Sequence, residues 1–247
     1  MKNFILYLLL ILVSSTACKK NNTEPEPKLP EMPVYTDSAA FVINGKQYSF
    51  TNRNGQGIGN RSVNLKPFST PLSDRKLARY SNGLYWYGEQ DSVLYSTQFN
   101  YNADHVGDVK FWFTKKYAKT AMNLEGSMWT PPSNSELFRL GKLPFAIDME
   151  RNATLDGIAI DISIKDLPSA VSSYIPGPWV LTSPTLSLEI QNNSTFEITK
   201  VIKLDDKYLV EAQFEMNVFD RTEKLYRVEK GFLRLITSMK PRWWVLG

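Results

Sequence analysis

The chain has 247 residues, 43% hydrophobic and 13% aromatic, with 29 Lys and Arg against 25 Asp and Glu for a formal net charge of +4. The basic residues are scattered rather than gathered in a stripe, which argues against nucleic acid as a partner. One cysteine and one histidine leave no disulfide framework and no zinc cluster, and a catalytic triad of the commonest form would have to use His105.

At the N-terminus, Lys2 precedes an apolar run from Phe4 to Val13. About ten residues cannot cross a hydrocarbon core as a helix, which takes ~20, so residues 1–17 read as a cleaved signal peptide. Ser15-Thr16-Ala17-Cys18 resembles the bacterial lipobox. That resemblance implies a diacylglyceryl group on Cys18, cleavage before it, and a palmitate-type anchor strong enough to hold the protein without a spanning helix. The alternative is an ordinary signal peptide with a stray cysteine. Residues 18–35 form the lipidated Cys and a tether. Lys19–Pro33 is polar and punctuated by prolines, a composition that favours extended chain and cannot bury enough apolar area to fold. Signal, Cys18, Lys19-Lys20-Asn21-Asn22 and the spacer with Glu24 and Glu26 together resemble the cell-envelope lipoproteins of Bacteroidota. For this chain the resemblance implies the outer membrane, on either its periplasmic or its cell-surface face.

Residues 36–247 read as a single β-rich domain dominated by period-two alternation. Ala39, Phe41 and Ile43 alternate up to Asn44-Gly45, and Tyr48 and Phe50 continue after it, which predicts a hairpin on a two-residue type I′ turn with Phe41 facing Tyr48. Thr51–Asn60 is polar and glycine-rich and reads as a flexible loop. Its Gly55-Gln56-Gly57-Ile58-Gly59 lacks the following helix that a phosphate-binding glycine loop requires. Val93 to Tyr101 alternates as a strand, turns through 102–108 and returns through Val109, Phe111 and Phe113. Ser133, Glu136 and Gly141 have the spacing of a capping box and a helix stop, predicting one short helix there.

Ile158, Ile160, Ile162 and Ile164 form the cleanest one-faced strand. Leu186, Leu188 and Ile190 repeat the pattern. Tyr208 to Val218 runs to a turn at Asp220–Lys224 and returns through Tyr226 and Val228, with Gly231 as a bulge. The expected fold is all-β, an antiparallel β-sandwich, with a lipocalin-like closed barrel as the alternative, and at most one or two short helices. The polar connections Thr51–Leu77 and Thr114–Lys142 favour the sandwich, since a closed barrel expects a near-continuous meander.

Candidate chemistry is sparse. His105 lies in Asp104-His105-Val106-Gly107-Asp108 and reads as an exposed turn residue, ahead of a metal ligand with Asp104 and Asp108 or a catalytic base. Asp148 with Glu150, Asp161, and Glu211 with Glu215 are the acidic groups that a glycoside hydrolase would draw on, and they read first as the solvated side of a sheet. No catalytic residue, cofactor or metal site is assigned. Tyr85-Trp86-Tyr87 and Phe111-Trp112-Phe113 place rings on both faces of their strands, so Tyr85, Trp86, Tyr87 and Trp112 are candidate ligand-stacking residues. Trp243 and Trp244 beside Arg242 read as a docked edge strand. Asp37-Ser38-Ala39 and Asp91-Ser92-Val93 match the short pattern at which Bacteroidota glycosylate exported proteins, making Ser38 and Ser92 candidate O-glycosylation sites.

The sequence therefore points to a lipid-anchored envelope domain, not an enzyme, that acts as a binding or accessory module for a glycan, an apolar ligand or a partner protein. A carboxylate-dependent glycoside hydrolase and a structural or adhesin subunit working by strand pairing are the alternatives. If Cys18 carries the anchor, metabolic palmitate labelling marks the intact protein, and Cys18→Ser abolishes both the label and sedimentation with membranes. A Cys18→Ser variant that stays membrane-bound would refute it.

Overall fold

The computed structural model describes residues 34–241 apart from 63–65, 72, 74–76, 88, 90, 151–153, 176–185 and 188. The signal segment, Cys18 and the tether to residue 33 lie outside the described residues, as do Leu188, Arg242, Trp243 and Trp244.

Strands β1 (Ser38–Ile43) and β2 (Lys46–Phe50) form the expected hairpin. Asn44 and Gly45 take φ of 53° and 74°, as a type I′ turn needs, and Phe41 stands opposite Tyr48. At Thr51 the chain leaves the ladder with β1 and continues as β3 (Asn52–Ser62). The stretch expected as a flexible glycine-rich loop is thus a strand of 11 residues. Its glycines fall on alternate positions, and its backbone is satisfied by a ladder with the chain at 93–102 rather than by packing of its own side chains.

After it come β4 (Lys66–Phe68), β5 (Leu77–Ser81) and β6 (Leu84–Tyr87), a separate three-stranded sheet in the order β4-β6-β5. The long hairpin β7 (Ser92–Ala103) and β8 (Gly107–Ala118) matches the expected strands, each longer than the alternation alone indicated. His105 is exposed in its turn at φ 67°. A 3-10 turn at Lys119–Ala121 leads to a small hairpin of β9 (Asn123–Glu125) and β10 (Met128–Thr130), then β11 (Gly141–Leu143). The remaining strands are β12 (Gly157–Ile164), β13 (Val171–Ser172), β14 (Thr195–Leu204), β15 (Lys207–Phe219) and β16 (Leu225–Thr237).

The main sheet has 11 strands, in the order β2-β1-β16-β15-β13-β12-β8-β7-β3, with β14 on β15 and β11 on β14. Its named strands pair antiparallel. The architecture is all-β, as expected, and its large main sheet is nearly barrel-shaped, nearer to the second of the two arrangements weighed from the sequence. The path begins on β2 and ends on β3, which are consecutive across Thr51. One chain segment therefore joins the two ends of the sheet.

Side chains complete that junction. The last β1–β16 pair is Ser38 with Arg234. Two residues further on, Ile236 donates its N–H to Asp37 Oδ1 at 2.6 Å and accepts from Arg53 Nη1 at 3.1 Å, while the Tyr101 hydroxyl donates to the Arg234 carbonyl at 2.8 Å. Three side chains thus satisfy backbone groups that an adjacent strand would otherwise have to meet.

Inside, aromatic rings fill the space in a continuous series. Phe99, Phe138 and Phe196 each pack on Phe113 at 5.9, 5.1 and 5.9 Å between centroids; Phe196 stacks on Phe214 at 5.6 Å, and Phe214 meets Phe111 edge-on at 5.7 Å. Each offset or edge contact adds ~0.5–1.5 kcal/mol to the burial of the rings themselves. Gly231 pairs with Phe214 where the β15–β16 register shifts, in keeping with the bulge expected there.

Two expectations are corrected. The helix at 133–141 is a turn: Leu137 N–H reaches Asn134 and Phe138 N–H reaches Ser135, while the Ser133 hydroxyl accepts from Ser135 instead of Glu136. Adjacent Leu137 and Phe138 are both buried, a demand that a short one-faced helix meets poorly. The expected strand at Leu186–Ile190 is irregular and turn-like where described. Asn217 Nδ2 binds the Ile190 carbonyl at 2.7 Å, and the Ile190 side chain packs with Ile147, Ile175 and Phe219 outside the aromatic core. Leu186 packs against the same cluster, so burial rather than a ladder accounts for the apolar character of these two described positions.

A methyl group at Gly231 would meet the Phe214 ring at 2.2 Å, and that ring is held between two others. Gly231→Ala therefore destabilises by ~1–3 kcal/mol, read as a fall in melting temperature. Tyr101→Phe, which leaves the Arg234 carbonyl short of a donor, costs ~1 kcal/mol. Wild-type melting by both variants would contradict this account of closure and core.

Candidate functional site

The expected ligand-stacking residues lie on two different sheets. On β6, Tyr85 faces Tyr80 of β5, centroids 4.8 Å apart, and Tyr80 is 60% exposed. Trp86 points to the opposite face, where the Arg79 guanidinium sits 4.8 Å from its ring and its Nε1 donates to the Ser81 carbonyl at 3.4 Å. Tyr87 is buried against Phe68. The triplet is thus split between the faces of the small sheet, as alternation requires.

Trp112 belongs to the outward face of the main sheet. Its neighbours Phe111 and Phe113 point into the core, so Trp112 cannot. Directly across the ladders stand Gln98 on β7 and Ala159 on β12. The next outward row runs from Asn100 through Lys110 to Asp161. Part of the indole packs on Ala146, Met149, Ala159 and Tyr174. Its Nε1 donates to Asp161 Oδ2 at 3.0 Å, which fixes the ring's orientation. Gln98 Nε2 in turn donates to Asn100 Oδ1.

Asp161 is the electrostatic centre. The Tyr174 hydroxyl donates to Asp161 Oδ1 at 2.6 Å and lies 3.2 Å from Glu150 Oε1, so two carboxylates gather around one phenol. Burial raises the Asp161 carboxyl above its ordinary value and the Glu150 charge adds to this, against hydrogen bonds from Tyr174 and Trp112 that favour ionisation. Burial and the same two carboxylates push the Tyr174 hydroxyl up as well.

The other acidic residues have different tasks. Asp148 is buried and accepts from Thr154 N, Thr154 Oγ1 and Leu155 N at 2.9, 2.8 and 3.3 Å, organising its own loop. Glu211 bonds Lys200 at 2.6 Å and Arg234 at 2.7 Å; burial works to raise its carboxyl, and these two cations hold it below the ordinary value. Glu215 pairs with Arg227 at 3.3 Å. The residues that meet are therefore Asp161 and Glu150, not the sequence neighbours Asp148 and Glu150. Ser38 opens β1 next to the closure residue Asp37, and Ser92 opens β7 with its hydroxyl donating to Glu89 at 3.0 Å. Among the described residues no three His, Cys, Asp or Glu side chains gather as metal ligands.

Sequence reasoning singled out Trp112 and Asp161 separately and missed Gln98, Asn100 and Tyr174. Gln98 and Asn100 had a readable signal, since they are the polar alternates of a strand whose apolar residues were identified. Tyr174 lies outside any alternating run, and only the fold brings it to Asp161. No protein family, characterised protein or solved structure matches the chain.

A carboxyl whose folded pKa is raised favours the native state fully below its unfolded value, ~3.9, and that contribution is lost as pH rises through the raised folded value. Asp161→Asn can still accept from Trp112 and hydrogen-bond Tyr174. Its melting temperature relative to wild type therefore increases as pH rises from the ordinary carboxylate value through the raised one, then levels off. A difference that is constant across this window would show that Asp161 is not raised.

Proposed function

We propose that this chain is a lipid-anchored protein of the bacterial outer membrane whose β domain binds a glycan, as a binding or accessory module. The N-terminal composition supports the anchor, and the surface around Trp112 supports the ligand class. One observation carries the reading: a half-buried indole, pinned by a carboxylate, lies in rows with two amide side chains. A sugar ring offers an apolar face to stack on an aromatic plane and hydroxyls around its rim to exchange hydrogen bonds with amides and carboxylates. A partner protein would call for a larger apolar centre, whereas the outward rows here are mostly polar.

The β5–β6 aromatics are a second stacking surface for the same ligand class, with Tyr80 and Tyr85 on one face and Trp86 on the other. A carboxylate-dependent hydrolase is favoured by one observation of its own: Asp161 and Glu150 share the Tyr174 hydroxyl, and glycosidic cleavage draws on a pair of carboxyl groups.

The test is glycan-array binding by the full-length protein in detergent, with hydrolysis products followed on every glycan retained. Trp112→Ala weakens binding about tenfold or more, equivalent to ~1.4 kcal/mol of lost stacking, and Trp86→Ala reports on the smaller sheet. Binding unchanged by both removes these rings from the site. Turnover that disappears in Asp161→Asn establishes the hydrolase instead.

A further inference from the structure

The outward face of β14, β15 and β16 carries a groove of about 440 Å³ that is separate from the Trp112 surface. Two ladder rows line it. In one, Glu197 of β14 stands opposite Gln213 of β15, and Gln213 opposite Phe232 of β16. In the other, Thr195 stands opposite Glu215, and beyond Glu215 the register of β16 slips at a bulge. Val228 and Gly231 are both buried on either side of that bulge, which leaves Glu229 and Lys230 together on the outside.

Folding does not account for three features of the groove. Lys230 sits at φ 50°, a left-handed conformation that in such a bulge is usually given to glycine. The glycine here is its neighbour Gly231, whose own reason is the Phe214 ring. Secondly, the side chains of Glu197, Gln213 and Lys230 make no hydrogen bond or ion pair with any described residue, although Lys142 stands opposite Glu197 across the β11 ladder. Glu197 is half-buried, so its carboxylate gives up hydration without a partner in return. Thirdly, Phe232 is a half-buried ring on the outer face. The Arg234 guanidinium lies 5.4 Å from its centroid, and Ala40, across the ladder, has nothing beyond Cβ to cover it.

We infer that this groove is a glycan site of its own, on the wall of the barrel opposite Trp112. It rests on the glycan-binding reading for its ligand class and adds a separate place on the domain where sugar is held. An apolar sugar face stacks on Phe232, while ring hydroxyls donate to Glu197, exchange with the Gln213 amide and accept from Lys230. The volume falls within the ~300–1,000 Å³ of small-molecule sites. Charge favours a neutral ligand. Glu197, Glu215 and Glu229 stand around the groove against Lys142, Arg227 and Lys230, with Arg227 3.3 Å from Glu215, while Lys200 and Arg234 are held by Glu211. An ion of either sign therefore meets its like. With β2 and β3 taken as one segment, β8 lies as many strands from β16 through β15, β13 and β12 as through β1, that segment and β7. Phe111 of β8 meets Phe214 of β15 across the interior at 5.7 Å. Trp112 and the groove thus face away from each other, and one short sugar cannot reach both.

Calorimetry on the full-length protein in detergent, titrated with trisaccharides of linear glucan, mannan, xylan and chitin, counts the sugars bound per chain. The wild type takes one more than Phe232→Ala, and Trp112→Ala and Trp86→Ala both retain the site that Phe232→Ala lacks. Lys230→Gly suits the left-handed backbone, so it melts no lower than wild type, yet weakens that site about tenfold, near the worth of one hydrogen bond. Equal stoichiometry in wild type and Phe232→Ala, or unchanged affinity in Lys230→Gly, overturns the groove while the Trp112 reading stands. Losses confined to Phe232→Ala and Lys230→Gly keep the groove and remove Trp112. No binding by any trisaccharide overturns both.

Discussion

The structure depends on one segment doing two jobs. Residues 46–62 pair with β1 before Thr51 and with β7 after it, so the sheet's first and last strands are the same piece of chain. A sheet joined in this way largely removes the exposed edges that two stacked sheets would have to protect. It also divides the residues of each strand cleanly, since alternate side chains go to a common interior or to the outer surface. The interior is filled by phenylalanine and tyrosine rings in mutual contact together with isoleucine, valine and leucine side chains. Any binding chemistry on these strands is left to the outer face, and the corner at Thr51 is what brings β3 alongside β7 there.

Strand identity was legible where alternation was strong. The isoleucines of β12, the Asn44-Gly45 turn and the β15–β16 hairpin each carry their own local reason, and the structure agrees with them. β3 was not legible as a strand because its outward positions are glycine and several others are polar, so hydrophobic periodicity had little to register; its order is supplied by β7. The turn at 133–138 was misread for the converse reason. Its capping residues form a local hydrogen bond, but burial of both Leu137 and Phe138 decides the conformation. Of the site, Trp112 was visible because its neighbours are aromatic and one of three successive rings must face the other way. Tyr174 and Glu150 reach Asp161 through loops, whose paths no periodicity encodes.

Asp161 is a costly choice at its position. A buried carboxylate loses hydration, and two hydrogen bonds recover only part of that loss. An asparagine could be accommodated among the same partners. What the carboxylate adds is an acceptor for both Trp112 and Tyr174 at once, which holds the indole in one orientation on an otherwise smooth sheet surface. Preorganising a ring in this way reduces the freedom lost when something stacks on it. The stability given up at Asp161 and the orientation gained at Trp112 belong to the same arrangement.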